Sequence, residues 1–117
     1  MKKVLIVDDA MFMRHTLKTM LEKNNYQIIG MAEDGEEALM RCKELRPDII
    51  TLDITMPKMS GLQALVEIKK INKDIKVVMI TAMGQEMLMK EALLNGASNF
   101  IVKPFREKTI IDVLNSL

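Results

Sequence analysis

Short apolar runs alternate along this chain with longer stretches in which apolar positions recur every three or four residues. The runs Val4-Leu5-Ile6-Val7, Ile49-Ile50-Thr51-Leu52, Val77-Val78-Met79-Ile80 and Phe100-Ile101-Val102 read as strands. With the run around Ile28-Ile29 they predict strands over residues 3–8, 27–32, 48–53, 76–81 and 99–102. The longer period predicts helices over 11–24, 34–45, from Ser60-Gly61 to Asn72, 85–95 and 106–116. Their inward faces carry Leu17, Met20 and Leu21, then Ala38, Leu39 and Cys42, then Leu65 and Ile68, and finally Ile110, Val113 and Leu114. Asp34 is placed to cap the second helix, and Asn24-Asn25 and Asn95-Gly96 to stop the first and fourth.

Five strand–helix units follow from this pattern. Strands of unbroken Val, Ile and Leu are buried on both faces, which calls for a parallel sheet covered by helices. With right-handed crossovers the fold class is α/β, a three-layer sandwich. The pattern leaves the strand order open. At 117 residues the chain reads as one domain, 1–117, able to bury roughly two-thirds of the surface its unfolded form exposes.

Charge narrows the function classes. Seventeen basic and 16 acidic residues give a net charge of +1, which argues against a general electrostatic nucleic-acid binder and leaves room only for a local basic patch. The single Cys42 has no partner for an internal disulfide, which suits a reducing compartment. The first apolar run is too short for a signal-peptide core or a membrane span. A cytoplasmic location is expected. The 12 methionines read as adaptable core filler, and His15 as an exposed helix residue without a second ligand at metal spacing.

Chemistry gathers at the carboxyl ends of the strands. Asp8 and Asp9 end the first run, Asp53 the third, Thr81 the fourth and Lys103 the fifth. In open parallel sheets that edge binds ligands. Three neighbouring carboxylates repel one another, and a divalent cation removes the penalty. Magnesium takes one or two carboxylates together with phosphate oxygens and waters. Asp53, held before Met56-Pro57, is the candidate nucleophile toward phosphorus. Lys103 would supply a point charge for a phosphoryl oxygen, and Thr81 a hydroxyl donor. Backbone N–H groups after Asp53 and Thr81 would add donors.

The full set of motifs resembles the receiver domain of two-component response regulators. The pieces are Val7-Asp8-Asp9, Pro47-Asp48 leading to Asp53, Met56-Pro57, Gly61, Thr81-Ala82, Gly96-Ala97 and Lys103-Pro104-Phe105. Any one is weak; all of them in this order are specific, and the resemblance runs from Val4 to Leu117. Asp8-Asp9-Ala10-Met11-Phe12-Met13-Arg14, Asp53-Ile54-Thr55-Met56-Pro57 and Thr81-Ala82-Met83-Gly84-Gln85 are similar to its single-domain chemotaxis branch.

That resemblance implies a flavodoxin-like sheet of order 2-1-3-4-5 with five helices. It implies that Asp53 is the phosphorylated residue. Mg2+ would be held by Asp9, Asp53 and the Thr55 backbone carbonyl, with Asp8 acting through water. Thr81 and Lys103 would bind the phosphoryl oxygens, and Lys103-Pro104 would be cis. The donor would be a phosphohistidine on a sensor histidine kinase or a small acyl phosphate, and the receiver would speed its own dephosphorylation. It would not be a turnover enzyme on external substrates. Thr81 would move toward the phosphoryl group, and an aromatic on the fifth strand would fill the vacated space. Here that residue is Phe100, which packs like the usual Tyr but lacks its hydroxyl. Met83, near the expected water path, offers no hydrogen bond to an attacking water. The output face would include the fourth helix with Met87, Met89 and Lys90. Met87 and Met89 cannot both point inward beside Leu88 and Ala92, and Met89 is expected to be the exposed anchor.

The implied partners are the kinase, a flagellar motor switch protein or other docking target, and a phosphatase, without nucleic acid or membrane. The chain is expected to be a monomer, and its end at the last helix suits a stand-alone regulator. A non-chemotaxis phosphorelay receiver and a docking module without phosphorylation are the alternatives. A haloacid-dehalogenase-like hydrolase would want a second Asp where Thr55 stands. A flavodoxin-like FMN binder would want a Ser/Thr/Gly-rich loop where Asp8-Asp9-Ala10-Met11-Phe12 stands.

Overall fold

Strand and helix alternate ten times along residues 1–117 of the computed structural model. The strands are β1 (Lys3–Val7), β2 (Gln27–Ala32), β3 (Ile49–Asp53), β4 (Lys76–Ala82) and β5 (Asn99–Lys103). The helices are α1 (Met11–Lys23), α2 (Gly35–Leu45), α3 (Gly61–Ile71), α4 (Glu86–Leu94) and α5 (Glu107–Asn115). All strand pairings are parallel, in the order β2-β1-β3-β4-β5. This is the order the resemblance implies.

Side chains of a strand alternate between faces, and here each face builds its own core. Leu5, Val7, Ile50, Leu52, Val77 and Met79 pack with Ala38 and Cys42 of α2, Leu65 and Ile68 of α3 and Ala92 of α4. Val4, Ile6, Ile49, Val78, Ile80 and Ile101 pack with Leu17 and Leu21 of α1 and Ile110 and Leu114 of α5. The helix boundaries have local causes. Asp34 accepts from the Glu37 N–H at 2.8 Å, and Ser60 and Gln63 form a reciprocal capping box at the start of α3. Asn25 at φ 70° and Gly96 at φ 100° turn the chain out of α1 and α4.

The predicted elements are all present, with ends displaced by at most one residue. Two expectations are corrected. The methionines are not chiefly core filler, since Met56, Met79 and Met89 are buried whereas Met1, Met11, Met40, Met83 and Met87 are exposed. The second concerns the two methionines of α4. Met89 is buried, 7% exposed, and Met87 is the methionine that faces solvent, 86% exposed. The cause is helical phase. Met89 lies one turn before the fully buried Ala92 and beside half-buried Leu88, whereas Met87 lies nearly opposite. Lys90 is exposed as expected.

The chain winds both faces from the middle of the sheet. After β1 it enters α1 on one face; after β3 it enters α3 on the other. A crevice therefore opens between the carboxyl ends of β1 and β3.

Candidate phosphoacceptor site

Asp8 follows the end of β1 and is 1% exposed. Its Oδ1 accepts from the Ala10 N–H at 2.9 Å, while Arg14, one turn into α1, donates to its carbonyl at 2.8 Å. The entrance to α1 is thus pinned by the site's own residue, since Ala10 has no side chain with which to cap. Asp9 is exposed at the rim. Asp53 ends β3 and is 6% exposed. The next residue, Ile54, still pairs with β4 through its N–H to the Ile80 carbonyl at 3.0 Å. That bond holds the end of β3 in register. Gly61 opens α3 directly against it, with its N–H on the Ile54 carbonyl at 2.9 Å.

Carboxylate oxygens of Asp8, Asp9 and Asp53 lie within 4.8 Å of one another. The Lys103 ammonium donates to Asp8 Oδ2 at 3.1 Å and stands 3.7 Å from Asp53 Oδ1. Lys103-Pro104 is cis, as the resemblance implies. Strand periodicity explains the grouping. Asp8, Asp53 and Lys103 continue the alternation of Ile6, Thr51 and Ile101, and so share the α1/α5 face of the sheet.

The Asp53 carboxyl is pushed up to about 6, first by burial, then by the Asp8 carboxylate. Lys103 and the Thr55 N–H, which reaches Asp53 Oδ1 at 3.4 Å, pull it down, and Asp9 adds a smaller push upward. One ammonium among three carboxylates leaves negative charge in excess. The donor set is all hard oxygen, as a magnesium ion requires. These residues fit Mg2+.

Thr81 falls on the other sheet face. It shares the alternation of Met79, whose register partner across the sheet is Phe100. Phe100 is half-buried against the core beneath α2, α3 and α4. Thr81 is fully buried, and its hydroxyl donates to Gln85 Oε1 at 2.6 Å rather than toward Asp53. Gln85 is the residue sequence reasoning missed, together with Arg14. Its signals were its place at the end of the motif Thr81-Ala82-Met83-Gly84-Gln85 and a polar amide four residues beyond Thr81, after a glycine. Thr55 is exposed, and its hydroxyl accepts from Gln85 Nε2 at 3.1 Å. Met83 lies at the rim, 76% exposed. No helix is long and apolar enough to cross a membrane.

Comparison with known proteins places this geometry in a family. The response regulator receiver domain model matches residues 4–115. The chain is 48% identical to the chemotaxis protein CheY of Thermotoga maritima, over 99% of this chain and 97% of that one. It is 44% identical to CheY of Bacillus subtilis, over 97% and 94% of the two chains. A chain in the crystal structure of the CheX–CheY–BeF3–Mg2+ complex from Borrelia burgdorferi superposes with a TM-score of 0.94 at 42% identity, covering 98% of this chain and 87% of that one. The chain therefore belongs to the response regulator receiver domain family, and it resembles the CheY proteins of chemotaxis along nearly its whole length.

Proposed function

We propose that the protein is a phosphorylation-activated regulator of chemotaxis that accepts a phosphoryl group on Asp53. The observation that carries this reading is the position of the Asp53 carboxylate. It lies at the sheet edge, nearly buried, within 4.8 Å of Asp8 and Asp9 and 3.7 Å from the Lys103 ammonium. Transfer of a phosphoryl group asks for in-line positioning and charge neutralisation more than for an acid or base. An Asp53 oxygen forms the new bond to phosphorus. The bond from phosphorus to the donor breaks, and its electron pair leaves with the imidazole nitrogen of a phosphohistidine or the carboxylate oxygen of an acyl phosphate. When bound among Asp8, Asp9, Asp53 and the Thr55 carbonyl, Mg2+ supplies positive charge for the phosphoryl oxygens. Lys103 binds a further oxygen, at the expense of its bond to Asp8.

The signal then leaves through Thr81. Its hydroxyl turns to the new acceptor, the loop after β4 follows, and Phe100 packs into the space released. Coupling rests on packing, because Phe100 carries no hydroxyl. A local charge change thereby biases a two-state element. The output face is α4, β5 and α5, with Met87 and Lys90 as exposed contacts and Met89 beneath them. The donor is a CheA-like sensor histidine kinase, the target is the flagellar motor switch, and a phosphatase ends the signal beside autodephosphorylation, in the cytoplasm. The chemotaxis assignment is supported by relatives that are CheY proteins at 44–48% identity.

Intact mass after incubation with acetyl phosphate tests the reading. A Mg2+-dependent phosphoryl adduct is expected on the wild type and not on Asp53→Asn. A wild type that binds Mg2+ but gains no adduct overturns it in favour of a docking module without phosphorylation.

A further inference from the structure

Gln85 ties the end of β4 to the loop after β3 at the mouth of the site. Its Oε1 accepts from the Thr81 hydroxyl at 2.6 Å and from the Ala82 N–H at 3.1 Å. Its Nε2 donates to the Thr55 hydroxyl at 3.1 Å, thirty positions earlier in the chain. The backbone N–H of Ala82 can only donate, so the amide atom facing it is the oxygen, and the nitrogen is left for Thr55. Gly84, at φ +91° with open space around it, makes the turn that brings Gln85 back onto Thr81. Gln85 stands at the N-cap of α4, yet its side chain makes no capping bond there. All three hydrogen bonds of the amide go to the end of β4 and to the loop after β3.

A hydroxyl has one proton to give. Thr81 is fully buried, and its proton goes to Gln85 at 2.6 Å in preference to the Ala82 carbonyl at 3.3 Å. The same amide oxygen also holds the next backbone donor. We infer that Gln85 is an internal competitor of the phosphoryl group, its amide oxygen occupying in the unphosphorylated protein the Thr81 and Ala82 donors that a phosphoryl oxygen on Asp53 would take. This inference rests on the phosphoacceptor reading of Asp53. Engagement of a phosphoryl group then displaces the side chain of Gln85, the residue at the head of α4. The bond to Thr55 breaks in the same event. Gln85 is thus a positioning residue that sets how readily the site closes on its ligand and carries that closure to the helix bearing Met87.

Beryllofluoride with Mg2+ serves as the phosphoryl probe, titrated into wild type and Gln85→Met and followed by amide NMR. Methionine keeps the length of the side chain and removes its hydrogen bonds. All three bonds of the amide are gone in the variant before the probe arrives, so it should bind the probe at least roughly threefold more tightly. Mg2+ alone should bind both proteins equally. Unchanged beryllofluoride affinity overturns the inference. So does weaker binding, which would make Gln85 a strut that builds the site, and that role would lower Mg2+ affinity as well. Thr55→Val, which removes only the far end of the strap, should tighten the probe by a smaller factor than Gln85→Met. A wild type that binds Mg2+ and no beryllofluoride sinks the phosphoacceptor reading itself, a result separate from all of these.

Discussion

The Lys103 ammonium is bonded to Asp8, at 3.1 Å, rather than to Asp53, from which it stands 3.7 Å away. The fixed positive charge of the site is therefore already shared before any ligand enters. Asp53 keeps a pKa raised by burial and by Asp8, against the pull of Lys103. Lys103→Met should raise the Asp53 carboxyl further, and slow phosphorylation by acetyl phosphate at neutral pH on the order of 10²-fold, as loss of one charge-stabilising donor does elsewhere. A carbon-13 titration of the Asp53 carboxyl checks the first effect. Adduct formation over time checks the second, and an unaltered rate would remove Lys103 from the site.

Asp53 costs the folded protein stability. Its carboxyl titrates at about 6 when folded, against 3.8 for the ordinary group. Between those values the native state holds more protons than the unfolded chain. Stability therefore falls as pH rises through this window, and the loss is complete above it. Without metal, Asp53→Asn should be about 1–2 kcal/mol more stable than wild type at pH 7, after allowance for water at the mouth, and the gain should shrink near pH 4. Urea unfolding in a chelator at both pH values measures this. Added Mg2+ should reverse the order by stabilising the wild type, by about 2.7 kcal/mol at a hundred times its Kd. Equal urea midpoints at pH 7 would contradict the raised pKa.

Gly61 lies so close to the end of β3 that a side chain has no room. A Cβ there would fall against the Asp53 carbonyl oxygen and 2.6 Å from the Ile54 Cα. Both obstacles are backbone, so the strand end itself must move. Gly61→Ala should cost roughly 1–3 kcal/mol, as overpacking commonly does. Because Asp53 sits on the displaced segment, Mg2+ affinity should fall with stability. Thermal unfolding and a Mg2+ titration on the same sample check the pairing. A destabilised variant with full Mg2+ affinity would mean that α3 yields instead.

Met87 and Met89 should part company on substitution. Met89→Ala removes a buried side chain beside Ala92 and should cost about 2 kcal/mol. Met87→Ala should leave stability within about 0.5 kcal/mol, since its side chain is in water. If α4 is the output face, Met87→Ala should still weaken docking to the motor switch protein. Urea unfolding and a binding assay with the beryllofluoride-loaded protein separate the two roles. A stable Met87→Ala that docks as well as wild type would move the contact elsewhere on the face.

Much of this fold could be read one segment at a time. Unbroken runs such as Val77–Ile80 predict strands buried on both sides, and β4 lies inside the sheet. Ser60, Asp34 and Gly96 marked helix ends that the backbone honours, because capping and left-handed turns are settled within a few residues. Asp8, Asp53, Thr81 and Lys103 each closed an apolar run, and parallel strands bring such endings to one edge. The exposure of Met89 was misjudged for a reason of geometry. Both methionines satisfy the apolar pattern of α4, and a two-residue offset on a helix decides between core and solvent only once the helix is seated.

The chain's own periodicities determined the ten elements, the buried parallel sheet and the edge on which its chemistry lies, because these depend on residues near one another in sequence. Tertiary structure alone decided which partners meet there. Lys103 and Asp8 are 95 positions apart, and Gln85 and Thr55 are 30 apart. No local pattern encodes those hydrogen bonds, whose lengths follow from the stagger of neighbouring strands and the path of two loops. The commitments of Lys103 to Asp8 and of Gln85 to Thr55 thus arise from packing, although Lys103, Asp8 and Thr55 were legible as site residues from the start.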